Sequence, residues 1–142
     1  MAWVTPKTNW AIHYDQNGNY TGDYFNVSDY ERITGNVLYL QALAESVYHI
    51  PIPLQTMPDV TYESYGYASY VDAIERNIEA IADHSFTPDG FPAMKSWSGN
   101  DPTPNYDDWN RIESATSMLY NTLTQTQAAL AKLPVNLGLE EF

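Results

Sequence analysis

The sequence contains no cysteine. Disulfides, thiolate nucleophiles and cysteine-based zinc sites are therefore excluded from this chain. Cations are almost as scarce: 6 Lys and Arg stand against 18 Asp and Glu, for a formal net charge of -12. A chain so poor in basic residues lacks the patches that phosphate contacts need and is repelled by anionic lipid, so neither a nucleic acid nor a membrane is expected as a partner. No run of about 20 apolar residues occurs, so no membrane span is expected. The opening Met1-Ala2-Trp3-Val4-Thr5-Pro6-Lys7 lacks the basic stretch and apolar core of a secretory leader. The plainer consequence of the negative charge is solubility, through mutual repulsion of the chains.

Signatures of chemistry are also missing. His13, His49 and His84 lie in three different segments, with no His-x-x-x-His pair among them. There is no nucleophile elbow, phosphate-binding loop or dinucleotide fingerprint. The stretch Asp15-Gln16-Asn17-Gly18-Asn19-Tyr20 begins like a calcium loop, but the positions that should hold Gly and Glu hold Tyr20 and Asn26, and a polar hairpin turn is the simpler expectation. Two carboxylates could meet from anywhere in a chain with 18 acids, which makes a glycosidase pair weak as an argument. No catalytic, cofactor-binding or metal-ligating residue is assigned, and a non-enzymatic protein without a cofactor is expected.

What the chain does have is aromatics and a recurring octet. Tyr (12) and Trp (4), with hydrophobic residues at 44%, are the composition of a folded chain of 142 residues able to bury roughly two-thirds of its unfolded surface. The octet is Asn26-Val27-Ser28-Asp29-Tyr30-Glu31-Arg32-Ile33, which returns as Asn105-Tyr106-Asp107-Asp108-Trp109-Asn110-Arg111-Ile112. A looser copy sets Ile74 at the place of Ile33 and Ile112, and Asn77 at the place of Asn36. Recurrence at a near-constant period marks one supersecondary unit used several times.

The octet reads as the start of a helix. Asn26 and Asn105 suit the N-cap, and Asp29 and Asp108, three residues on, complete a capping-box pattern at the positive helix end. Behind Asn26, Tyr30, Ile33, Val37, Leu40, Ala44 and Val47 fall on one helical face. Val71, Ile74, Ile78 and Ile81 do so in the second copy, and Trp109, Ile112, Leu119, Leu123 and Leu130 in the third. Tyr30, Trp109 and the three isoleucines are expected in one core. Arg32 and Arg111 can pair locally with Asp29 and Asp108, or reach a loop carbonyl or an acid on another repeat.

The expected architecture is a single, mainly α domain over 1–142: a three-helix bundle of divergent helical repeats at 26–49, 68–84 and 105–133. An extended N-terminal arm occupies 1–25, with a small hairpin about a type I′ turn at Asn17-Gly18, and a surface tail occupies 134–142. Pro134 is expected to stop the third helix near Lys132. Two aromatic and proline-rich loops of about 20 residues join the helices, longer than bundles usually need, which points to loops that are functional or packed down. Gly35 interrupts the first helix for no reason visible in the sequence.

At this point a resemblance enters. The opening Met1-Ala2-Trp3-Val4-Thr5-Pro6-Lys7-Thr8-Asn9-Trp10, then Asp23-Tyr24-Phe25-Asn26 and Asp29-Tyr30-Glu31-Arg32-Ile33, resembles small structural proteins of tailed bacteriophages of Gram-positive hosts. Pro102-Thr103-Pro104 and Trp109-Asn110-Arg111-Ile112-Glu113 match the same pattern, while Glu31 and Thr34 stand where Asn and Glu are usual. The likeness implies a virion component of the tail, baseplate or a fibre attachment, made in the host cytoplasm, whose partners are other tail proteins or copies of itself. The alternative expectation is a module that grips host cell-wall glycan. Trp3, Trp10, Tyr65, Tyr67 and Trp97 are the candidate interface or glycan contacts on either reading.

Overall fold

A computed structural model of the chain describes residues 2–60 and 67–137; at Tyr67 and at 133–137 it describes the backbone path alone. Three helices, α1 (Val27–Tyr48), α2 (Tyr67–His84) and α3 (Tyr106–Leu137), pack together. Tyr65 lies outside the described residues. Among the described residues there is no strand, only one isolated antiparallel bridge between Tyr14 and Tyr20.

Both asparagine caps form. The Asn26 side chain accepts from the Asp29 N–H, and Asp29 Oδ2 accepts from the Asn26 N–H at 3.0 Å. Asn105 and Asp108 exchange the same two bonds, at 3.0 and 3.1 Å. Each reciprocal pair satisfies backbone donors that a helix start otherwise leaves bare. α1 ends at His49, in the left-handed region with φ 57, and the Ile50-Pro51 that follows cannot extend the helix.

The end of α3 differs from expectation. The helix does not stop near Lys132 but passes Pro134 and runs to Leu137. Pro134 has no N–H to give the Leu130 carbonyl and its ring crowds that carbonyl, so the last turn forms at a local cost that the residue pattern does not explain. Leu130 is also not core: it is 42% exposed, whereas Leu119 and Leu123 are fully buried.

The core gathers Tyr30, Ile33, Val37 and Leu40 of α1, Ile74, Ile78 and Ile81 of α2, and Trp109, Ile112, Leu119 and Leu123 of α3, with Trp10 from the arm. The helices run parallel. Arg32 meets Glu113 and the ring of Tyr39 lies 6.1 Å from that of Tyr120, both contacts joining residues 81 apart. Tyr30, early in α1, lies 6.2 Å from Tyr70, early in α2. Parallel neighbours explain the long connections. The 22-residue α1 rises about 33 Å, and the chain must travel that distance back before the next helix can start.

The returning segments lie along the helices as extended straps. Gln41 donates to the Ile52 carbonyl and Glu45 accepts from the Ile52 N–H. Further on, the Tyr30 hydroxyl donates to the Pro58 carbonyl, about three turns nearer the start of α1 than Gln41. The N-terminal arm is a strap of the same kind, and it then folds into a turn. Its geometry corrects the type I′ expectation: Gly18 N–H donates to the Asp15 carbonyl at 3.0 Å, and Gly18 alone in the turn has positive φ. Asp15 accepts from the N–H groups of Asn17 and Asn19, so its carboxylate stabilises the turn itself.

Gly35 sits inside α1 with nothing within 4 Å of where a Cβ would be. Gly35→Ala is therefore expected to stabilise the chain by roughly 0.5–1 kcal/mol. Denaturant unfolding checks this; a loss of stability would mean that the backbone at 35 is constrained in a way the packing does not reveal.

Candidate functional site: clamped straps and an aromatic cleft

Two glutamates control how the straps are held. Glu113, 1% exposed, directly follows the core residue Ile112 and faces the bundle interior. Its Oε1 accepts from Arg32 Nε at 2.8 Å and from the Lys7 backbone N–H at 3.0 Å. Its Oε2 accepts from Arg32 Nη2 and from the Trp10 indole N–H, both at 2.7 Å. Glu75, fully buried, directly follows Ile74. It accepts both terminal nitrogens of Arg111, the Lys95 N–H at 2.8 Å and the Trp97 indole N–H. Each carboxylate thus receives a two-pronged arginine from another helix, one strap backbone N–H and one strap indole.

This arrangement meets the condition a buried charge imposes. Removing a carboxylate from water costs several kcal/mol unless a partner of good geometry and further donors satisfy its lone pairs. Four donors reach each one here. The Glu113 hydrogen bonds hold the Arg32 guanidinium above its usual pKa, supported by Asp29 at 2.8 Å. Burial works against the charge of Arg111, but Glu75 and Asp108 outweigh it and its pKa is also raised. Burial likewise opposes the Asp108 carboxylate, and Lys95, at 2.6 Å, with the Asn105 N–H brings its pKa below the ordinary value.

Amide side chains add a second kind of grip. Asn36 accepts from the Val4 N–H and donates to the Val4 carbonyl, at 2.9 and 2.7 Å. Asn77 does the same to Gln55, and Asn110 to Trp10. An amide so placed substitutes for a neighbouring strand, satisfying strap backbone groups that have no sheet to join.

The candidate aromatic contacts fall into place accordingly. Trp10 is 5% exposed, and Trp97 is half-buried with its indole on Glu75. Trp3 stacks on Tyr120 at 4.2 Å. These three face the bundle rather than open solvent. Tyr67 opens α2, and its side chain is outside the described residues.

The outward aromatics are others. Tyr14, Tyr24 and Phe25 come from the hairpin and Tyr106 from the start of α3, all of them exposed. Tyr20 packs edge-on against Tyr14 and Tyr24 at 5.4 and 5.0 Å, and Phe25 stacks on Trp109 at 3.9 Å. Between hairpin and helix start lies a cleft of about 250 Å³, walled by Trp10, Ile12, Phe25 and Trp109, with Tyr20 and Tyr106 beside them. The hairpin folds tightly enough for this only because residue 22 is glycine. A Cβ there would stand 2.6 Å from the Tyr20 hydroxyl, 2.7 Å from the Ala11 carbonyl and 2.7 Å from the His13 nitrogen.

Several polar groups of the cleft are already engaged. Asp23 accepts from Lys7 Nζ at 2.8 Å and from the Ala11 N–H at 2.9 Å, which lowers its pKa. Asn105 Oδ1 caps α3, the Tyr20 hydroxyl donates to the Asp23 carbonyl, and the Trp10 indole is held by Glu113. Among the described residues no group of three or more His, Asp or Glu is placed to hold a metal ion. No family model, curated protein or solved structure matches the chain.

Glu113→Gln is expected to cost about 3 kcal/mol or more, because it leaves Arg32 facing an uncharged, partly mismatched partner inside the bundle. Glu79→Gln removes one of several partners of Arg76 from a half-buried pair and should cost less, about 1 kcal/mol at most. Equal costs in urea denaturation would show that burial of the first pair has no energetic weight.

Proposed function

We propose that this chain is a non-enzymatic structural protein of a tailed bacteriophage, a tail, baseplate or fibre-attachment component that works by protein–protein assembly. The observation that carries the assembly reading is the cleft. Its walls are mostly apolar and aromatic, its Asp23 carboxylate, Tyr20 hydroxyl and Trp10 indole are bonded within the chain, and its frame is fixed by buried ion pairs. Such a surface suits an apolar side chain from a protein, which needs shape and dry contact. The placement in a phage particle rests on the opening motif and the repeated Asn-Arg-Ile-type helix start.

The same proposal includes a chain built from divergent repeats, each an extended strap followed by a helix. Arg32 and Arg111 occupy matching places, as do Glu113 and Glu75, and each pair joins two helices and one strap. Set against Ile33 and Ile74, the third corner would be Ala73 and Thr34. Both members of that pair are absent together, the substitution a bundle tolerates, since loss of one alone would strand a buried charge.

The alternative is a module for host cell-wall glycan, favoured by the exposed rings of Tyr14, Tyr24 and Phe25. Sugar recognition also needs polar groups able to bond hydroxyls, and the engagement of Asp23 and Tyr20 weighs against it. Composition of purified particles separates the readings from a non-virion protein, and Phe25→Ala separates them from each other. The protein is expected in particles, with Phe25→Ala weakening capture of a co-purifying virion protein and no polysaccharide retained by either form. A monomer absent from particles would overturn the proposal; polysaccharide binding lost in Phe25→Ala would replace it with the alternative.

A further inference from the structure

α3 outlasts the bundle that buries it. Leu119 and Leu123 are fully buried, Thr126 is half-buried, and from Gln127 to Lys132 every residue is exposed, Leu130 by 42%. Yet the apolar register does not stop. Leu119, Leu123, Thr126 and Leu130 follow steps of four, three and four, and leucine recurs at 133 and 137 while the helical backbone continues to Leu137. Alternating steps of three and four are the heptad spacing of helices that pair with other helices. The segment therefore continues a core seam that nothing among the described residues covers.

Charge says what can cover it. The chain carries -12, a charge that opposes approach of two copies through most of their surface. From Ser114 to Leu139 there is no carboxylate and a single cation, Lys132. Leu130 lies about 25 Å along the helix from Glu113, the last acid before this stretch, and that distance is well beyond the screening length of about 8 Å at physiological salt. Ala128, Ala129 and Ala131 beside the leucine allow helices to approach closely. We infer that the projecting end of α3 pairs with the same segment of a second copy of this chain, forming a short coiled coil along the stretch of helix that precedes Glu140 and Glu141 and carries no acid itself. The inference takes up the assembly reading and names one partner, on a surface separate from the aromatic cleft.

The mass of the full-length protein, measured by sedimentation equilibrium across the micromolar range, tests it. The mass should rise with concentration from 16.1 kDa to a multiple of it. Leu130→Glu should return it to the single-chain mass at every concentration, with helical circular dichroism retained because the residue is exposed. Leu130→Met should associate like the parent. A parent that stays monomeric throughout overturns the inference, as does association that survives Leu130→Glu and is lost in Phe25→Glu, which would place self-contact at the cleft. Incorporation of a monomeric parent into particles would leave the assembly reading standing while the α3 contact falls.

Discussion

The arrangement depends on where Glu113 and Glu75 can keep a charge. A carboxylate pushed between helices by its position one residue after a core isoleucine must find a donor for each lone pair or be a severe cost. The arginine of another helix supplies two donors. The other two come from a strap, as a backbone N–H and an indole N–H. The ion pair therefore joins helices and also fixes where the preceding strap lies. Lys7 and Lys95, whose backbones donate to these acids, carry ammonium groups over the Trp10 and Trp97 rings at 4.9 and 5.5 Å, closing each strap from outside.

Parallel packing makes this device necessary. In an up-and-down bundle, short turns connect neighbouring helix ends and little backbone needs a partner away from the helices. Here each connection must recross the bundle, exposing extended backbone that no sheet receives. Asn36, Asn77 and Asn110 answer that need where strap meets helix, and the carboxylates answer it where the strap turns into the next helix. The arm then ends in a hairpin leaning on the first turn of α3, which is how a cleft comes to exist between Trp10, Phe25 and Trp109.

Much of this was legible from residue pattern. The spacing of Tyr30, Ile33, Val37 and Leu40, and of Ile74, Ile78 and Ile81, gave helices and core because a buried face imposes its period on the sequence. Asn26 and Asn105 gave the helix starts because capping is local chemistry. The roles of Glu75 and Glu113 were not legible, since an acid beside an isoleucine is ordinarily solvent-facing. The available signal was that both sit one place after the aligned isoleucines while the chain has few arginines to serve them. Trp3, Trp10 and Trp97 looked like contacts because their partners, Tyr120, Glu113 and Glu75, are distant in sequence. Parallel orientation was hidden for the same reason, although loops of that length were its only outward sign. Pro134 pointed to a helix end because proline disfavours helical backbone at the residue before it, and nothing in the residue pattern marked the turn that follows.

The central claim is that each buried carboxylate holds its own strap. Hydrogen exchange of the Trp10 and Trp97 indole protons in Glu113→Gln, under conditions where the protein stays folded, tests it most directly. The account predicts that protection falls at Trp10 and at the Lys7 amide while Trp97 and Lys95 keep theirs. Unchanged protection at Trp10, or an equal fall at both tryptophans, would contradict it.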